Sequence, residues 1–181
     1  MKKIKRPIIG YMGTINSTRL DGELLYQIIS QRPDYSFVFT GPEDDGFRQH
    51  RIHSLKNAYF TGQKKVDELP AYITAYDVCI NPQMVNDITD GNYPLKIDEY
   101  LAMGKPTVAT STHTMRHIFA DHTHLATNPE EWLSAIDRAV TEADDKELAK
   151  QRIAFAETHS WGHSVKKIYG IIDNFLKEKA T

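Results

Sequence analysis

Short apolar runs of strand length alternate with helix-spaced segments along most of this chain, and that alternation leaves few folds open. Residues 7–13 (PIIGYMG), 36–41 (SFVFTG), 58–62 (AYFTG), 77–82 (DVCINP) and 106–110 (PTVAT) read as strands, with 124–126 as a sixth. Between them, Leu24, Leu25, Ile28 and Ile29 form one helical stripe. Leu69, Ile73 and Tyr76 form another, with Pro70 in its first turn. Residues 94–103 read as a helix opening on Pro94 and turning Ile97 and Leu101 to the core. From residue 129 onward only helical spacing remains. Trp132, Leu133, Ile136 and Val140 mark one helix, and Asp145 is placed to cap a second. Ser160 is placed to cap the last, whose broad stripe (Trp161, Val165, Ile168, Tyr169, Ile172, Leu176) is expected to pack on its own domain, the alternative being a face that stays exposed and drives self-association. The expectation is an α/β fold: a Rossmann-like parallel sheet of about six strands with helices on both faces, plus C-terminal helices. Residues 1–181 are read as one domain, with 7–128 as the α/β core and 129–181 as a helical segment.

Composition removes several function classes. With 22 basic and 24 acidic residues the formal net charge is −2, which offers no electrostatic footprint for nucleic acid. The single cysteine, Cys79, cannot form an internal disulfide; set between Val78 and Ile80, it reads as a buried core thiol in a reducing compartment. The opening MKKIKRPIIGYMG is too short and interrupted for a signal peptide, and no run approaches a membrane span, so a cytoplasmic domain is expected. The basic residues 2–6 read as a solvated tail. His113 and His117 lie one helical turn apart, near His122 and His124, but no His-Glu-x-x-His pattern accompanies them, and they read as surface histidines rather than a metal site.

Three strands end in glycine, at Gly13, Gly41 and Gly62. Open α/β sheets bind ligands beyond the carboxyl ends of their strands, where glycine lets a ligand approach the backbone; a glycine that only makes a tight turn is the alternative. The most informative stretch is residues 86–110 (NDITDGNYPLKIDEYLAMGKPTVAT). Its helix start offers free N–H groups and partial positive charge to a phosphate, and Lys96 adds a full cation. Lys96, Glu99 and Met103 share a helical face, and the carboxylate of Glu99 suits a ribose diol. The plainer alternative is a solvated Lys96–Glu99 pair. An acidic cluster at the end of the first strand, as a receiver domain would want, is missing at Gly13-Thr14.

The segment PLKIDEYLAMGKPTVAT resembles the donor-binding signature of GT-B glycosyltransferases of the broad group called family 4: a Glu, a small apolar helix, Gly-x-Pro and an apolar strand. AYFTGQKKVDELPAYITAYDVCINP and GYMGTINSTRLDGELLYQIISQRPDYSFVFTGP resemble preceding stretches of the same family, so the likeness covers roughly residues 7–175. It implies that Glu99 binds the ribose of a nucleotide sugar. The backbone around Tyr93 and Leu95, with Lys96, would hold the diphosphate. Gly13 and Thr14 would approach the phosphates or the transferred sugar from the first loop, with Gly41 on the same rim, and Gly62, Gln63 and Lys64 would border the base. Fixed dipoles and cations can stabilise the leaving diphosphate, so Lys96 and Arg19 are expected there and neither cofactor nor metal is required. The chain departs from the family pattern at Gly91, where a second Glu is frequent, and at Thr14, where Arg is frequent. Asp90 and Asp87 are the nearby candidates for the missing sugar contact, and Lys96 and Asp90 are the catalytic candidates. GT-B enzymes have two Rossmann-like domains. The chain therefore reads as the donor-binding half of an enzyme of bacterial surface polysaccharide synthesis. Its acceptor-binding N-terminal partner domain is missing, it is inactive alone, and it is compatible with peripheral attachment at the inner membrane face through the full-length protein. A nucleotide-sensing regulatory module and half of a nucleotide-sugar epimerase are the competing readings.

Overall fold

The computed structural model describes residues 4–179. Among them six strands, β1 (Ile8–Met12), β2 (Ser36–Thr40), β3 (Ala58–Phe60), β4 (Val78–Asn81), β5 (Thr107–Thr110) and β6 (His124–Ala126), form one parallel sheet in the order β3-β2-β1-β4-β5-β6. Successive residues of a strand point to opposite faces, and the core divides accordingly. Ile9, Tyr11, Phe37, Phe39, Val78, Ile80 and Val108 face one side, under helices α1 (Gly22–Ser30) and α5 (Pro129–Thr141). Ile8, Met12, Val38, Cys79 and Ala109 face the other. That side is covered by α3 (Leu69–Ala75), α4 (Leu95–Ala102) and part of α6 (Lys146–Thr158), after the four-residue α2 (Asp45–Arg48) has passed. The expected sheet with helices on both faces is therefore what the chain forms, and Cys79 is fully buried within it.

Local chemistry sets the helix ends. Asp21, Asn128 and Asp145 accept first-turn N–H groups of α1, α5 and α6, and Ser160 does so at the start of α7 (Trp161–Lys179). Pro94 precedes α4 rather than opening it: its carbonyl accepts from Ile97 N at 2.8 Å, and it occupies the cap position.

Two expectations are corrected. Residues 4–6 are not a solvated tail: Ile4 packs against the core, Lys5 Nζ donates to Asp34 at 2.8 Å, and Arg6 pairs with Asp77, whose second oxygen accepts from Ile8 N at 2.6 Å. Residues 2 and 3 of that tail lie outside the described residues. The stripe of α7 does not pack on its own domain. Trp161 is 83% exposed, and Val165, Ile168, Tyr169, Ile172, Phe175 and Leu176 are exposed with it. The helix continues the chain past α6 without lying back on the sheet.

Candidate nucleotide-binding site

The strand order reverses between β1 and β4, and the loops leaving those two strands diverge to open a crevice. Two ties hold the loops in register. Met84 N donates to Arg19 O at 2.9 Å, and Asp21 N donates to Pro82 O at 3.0 Å. The crevice is a cavity of about 500 Å³ lined by Tyr11, Gly13, Thr14, Asn16, Arg19 and Leu20 from the first loop, and by Gln83, Asn92, Tyr93, Pro94, Leu95 and Lys96 from the second. It lies where the glycine-ended strands and the α4 start were expected to meet.

Helix α4 is fixed over the end of β1 from below. Its buried residues Ile97, Tyr100 and Leu101 enter the core, and the Tyr100 hydroxyl accepts from Met12 N at 2.8 Å. Behind α4, Lys105 of the Gly-Lys-Pro turn donates to Thr74 O and Tyr76 O at 2.8 and 2.7 Å, tying the turn to the end of α3. No side chain among the described residues caps α4, unlike α1, α5 and α6, so its first-turn donors face the crevice without a side-chain acceptor.

Lys96 enters this cavity directly. Its ammonium donates to the Tyr11 hydroxyl at 2.7 Å and lies 4.3 Å from the centre of that ring; Tyr11 in turn donates to Thr14 O at 3.0 Å. No carboxylate among the described residues is hydrogen-bonded to it. Burial pulls its pKa down to about 8, against a partly offsetting attraction from Glu99 and with a further push from Arg19. A backbone at φ +130° makes the room: a Cβ on Gly13 would stand 3.1 Å from the Lys96 ammonium. Gly41 supports the same loop from behind, since a Cβ there would stand 2.0 Å from Gly13 O. Gly41 is thus a close-packing glycine, buried beneath the cavity rather than lining it. Arg19 stands exposed at the mouth with no hydrogen bond or ion pair to its guanidinium among the described residues.

The other residues named from the sequence are placed elsewhere. Glu99 does not share the cavity of Lys96. It sits on the flank of α4 facing α6, in a second cavity of about 490 Å³ with Asp98, Ile153, His159 and Trp161, and burial raises its carboxyl pKa. Asp90 does not line the first cavity either; its carboxylate accepts from His113 N at 2.8 Å and braces the β4–α4 loop against the segment after β5. Gly62 O accepts from Gly41 N at 3.1 Å, so Gly62 adjoins the rim while exposed Gln63 and half-buried Lys64 lie beyond it. Lys64 Nζ donates to Thr61 O. His113 and His117 are exposed with ring centres 4.2 Å apart, and no group of three or more potential metal ligands occurs among the described residues. Sequence reasoning missed Tyr11, Asn16 and Gln83. The rule that ligands bind beyond the strand ends would have flagged Asn16 and Gln83, which follow β1 and β4. Nothing local marks Tyr11, which reads as an ordinary strand residue.

An all-parallel sheet of this order, covered by helices on both faces and with a crevice lined by Lys96 and Arg19 at its switch point, defines a Rossmann-like α/β domain. A profile of the family described as "Glycosyl transferases group 1" matches residues 6–142, and the chain belongs to that family. It is similar to the putative teichuronic acid biosynthesis glycosyltransferase TuaH of Bacillus subtilis strain 168, with 27% identity over 168 residues, covering 89% of this chain and 42% of that protein. Among solved structures it resembles a sucrose-phosphate synthase from Thermosynechococcus elongatus at TM-score 0.73 and 19% identity, covering 95% of this chain and 46% of the other. It also resembles Anabaena HepE in complex with UDP, at TM-score 0.74 and 14% identity, covering 94% and 49%. These two are likenesses of GT-B fold. The chain spans less than half the length of each of these three proteins. No helix among the described residues is long and apolar enough to cross a membrane.

Proposed function

We propose that this chain is the nucleotide-sugar-binding half of a glycosyltransferase that builds a bacterial surface polysaccharide. The observation that carries the reading is Lys96. A partly buried ammonium bonded only to a neutral phenol is costly, because burial takes away water without supplying a counter-ion. Its placement beside the uncapped start of α4, with Arg19 at the mouth, suits a diphosphate. The similarity to HepE, solved with UDP, supports a uridine diphosphate donor, and TuaH supports the polysaccharide setting.

In this reading the first turn of α4 and Lys96 hold the two phosphates. Arg19 adds a second cation as negative charge grows on the departing diphosphate. These groups are set before the reaction, so they stabilise that charge without reorganising. The amides of Asn16, Gln83 and Asn92 are the hydrogen-bonding groups left for the sugar hydroxyls. Glu99, one turn further along α4, takes the ribose from the neighbouring flank, and Gly62, Gln63 and Lys64 border the base. Asp90 serves by holding the loop rather than by touching the reacting carbon. No metal is required where two cations and a helix start supply the charge. Transfer itself needs an acceptor-binding domain, so these 181 residues bind donor and turn over little or none.

Calorimetric titration with UDP, UMP and uridine tests the reading. Affinity should fall in that order and be lost first in Lys96→Met. Equal affinity for UDP and uridine, or UDP binding untouched by Lys96→Met, rules out this cavity as the phosphate site.

A further inference from the structure

Tyr93 lies at the edge of the cavity that holds Lys96, one residue before the cap of α4, and its hydroxyl bonds to Asp98, which does not line that cavity. It donates to Asp98 Oδ2 at 2.7 Å. The other oxygen of Asp98 lies 2.9 Å from His159 Nδ1, and His159 Nδ1 is 3.3 Å from the Tyr93 hydroxyl. A carboxylate only accepts, so Nδ1 carries the proton and both neighbours donate to Asp98. Burial, the hydrogen bond to Asp98 and its charge push the Tyr93 hydroxyl pKa well up, so it stays a donor. His159 ends α6 one residue before Ser160 caps α7. Its ring meets Phe119 at 5.8 Å and 90°, Phe155 at 4.5 Å and 74°, and Tyr93 at 6.4 Å and 73°. Edge-on packing on three rings gives the imidazole one orientation.

We infer that His159 is a positioning residue for the donor site: through Asp98 it holds Tyr93, and with Tyr93 the backbone that opens α4 at the phosphate position. The inference rests on the donor-site reading above. Its content is that the α6–α7 junction, where His159 lies 61 positions after Asp98 in the chain, sets the geometry of the nucleotide cradle. Asp98 faces Tyr93 and His159 rather than solvent alone; its side chain is 19% exposed, and that of His159 is 24% exposed. Two donors converging on one half-buried carboxylate hold their geometry more firmly than either bond alone. Tyr93 and Leu95 border both the donor cavity and a neighbouring cavity of about 540 Å³ lined by His159, Trp161 and Lys167, so the network forms part of the wall between the two.

The test is UDP titration of the 181-residue chain against thermal unfolding. His159→Ala is expected to weaken UDP binding about fivefold to tenfold, the worth of one ordinary hydrogen bond, because the bond that is lost reaches the nucleotide only through Asp98 and Tyr93. His159→Asn, whose amide nitrogen can stand where Nδ1 stood, should recover most of that loss. Tyr93→Phe should weaken binding by a similar factor, and the double variant should lose little more than either single one, because the two residues act through one carboxylate. If His159→Ala does not fold, Tyr93→Phe and His159→Asn carry the test, with a loss for the first and near wild-type affinity for the second. UDP affinity unchanged in folded His159→Ala and in Tyr93→Phe overturns the inference while leaving the donor site standing. Strictly additive losses overturn it as well. A folded wild-type chain that does not bind UDP overturns both.

Discussion

The two flanks of α4 lie one helical turn apart and present opposite chemistry. On one flank Lys96 is drawn under Gly13, shielded from water, with its pKa lowered to about 8 and its ammonium bonded to a tyrosine. On the other, Glu99 looks toward α6 in a more open cavity, its carboxyl raised by partial burial. Spacing alone makes the two residues look like one ion pair on a solvated helix. Packing separates them, because the first flank meets the β1 loop and the second meets α6. A charge three positions from its opposite is a pair only if both side chains stay on the same open surface.

That contrast can be broken experimentally. The largest effect is expected for Lys96→Met, which should lower UDP affinity about 50- to 100-fold, the value of charge-assisted bonds to phosphate. The same variant should be more stable than wild type at pH 7, on the order of 2 kcal/mol in urea unfolding, because a buried cation has been replaced by an apolar chain. Methods that read only one of these quantities would miss the opposition between them. Next comes pH. The folded pKa of Lys96 lies below its ordinary value of 10.5, so the unfolded chain binds more protons between about 8 and 10.5, and this group makes the fold more stable as pH rises through that window. UDP binding should move the other way, weakening by up to about tenfold per unit above pH 8 as the ammonium is lost, a slope missing in Lys96→Met. Arg19→Gln should cost about tenfold in UDP affinity with little change in stability, since its guanidinium is exposed and has no hydrogen bond or ion pair among the described residues. Glu99→Gln should cost only about threefold to fivefold, and that loss should vanish when 2′-deoxy-UDP replaces UDP. A Glu99→Gln variant as damaging as Lys96→Met would join the two flanks into one site. The smallest effect belongs to α7: Ile168→Lys with Ile172→Lys should leave the unfolding midpoint of the chain within about 1 °C, whereas Trp132→Ala should remove about 3 to 5 kcal/mol.

The last pair shows where sequence reading succeeds and stops. The stripes of α5 and α7 have the same spacing, and both read as core-facing. Trp132, Leu133, Ala135, Ile136 and Ala139 are buried against the sheet, while the α7 stripe is bare. Periodicity records that a face is apolar and is silent on what lies against it. The strands were legible because each is a short apolar run, four of the six closed by glycine or proline, and the caps at Asp145 and Ser160 because capping is a local bond. The four-residue α2 was not, since one turn is too short to show a period. Within the candidate site, Lys96 and Gly13 were legible from the loop-and-helix pattern, and Arg19 from the family resemblance. The Tyr11–Lys96 bond spans 85 positions and the Asp98–His159 bond 61, and no window of sequence contains either. The same limit explains Asp90, whose carboxylate is engaged 23 residues away by a backbone N–H that only the fold brings near.

The sequestered ammonium of Lys96 has a consequence for the chain when no nucleotide is present. An anion that binds there relieves an electrostatic burden the empty fold carries, and any ligand that favours the folded form shifts the unfolding balance by mass action. At a hundredfold excess over its dissociation constant, such a ligand adds about 2.7 kcal/mol. If the proposed donor is that ligand, a shortage of nucleotide sugar would lower the folded fraction of the domain as well, so that abundance and supply rise and fall together.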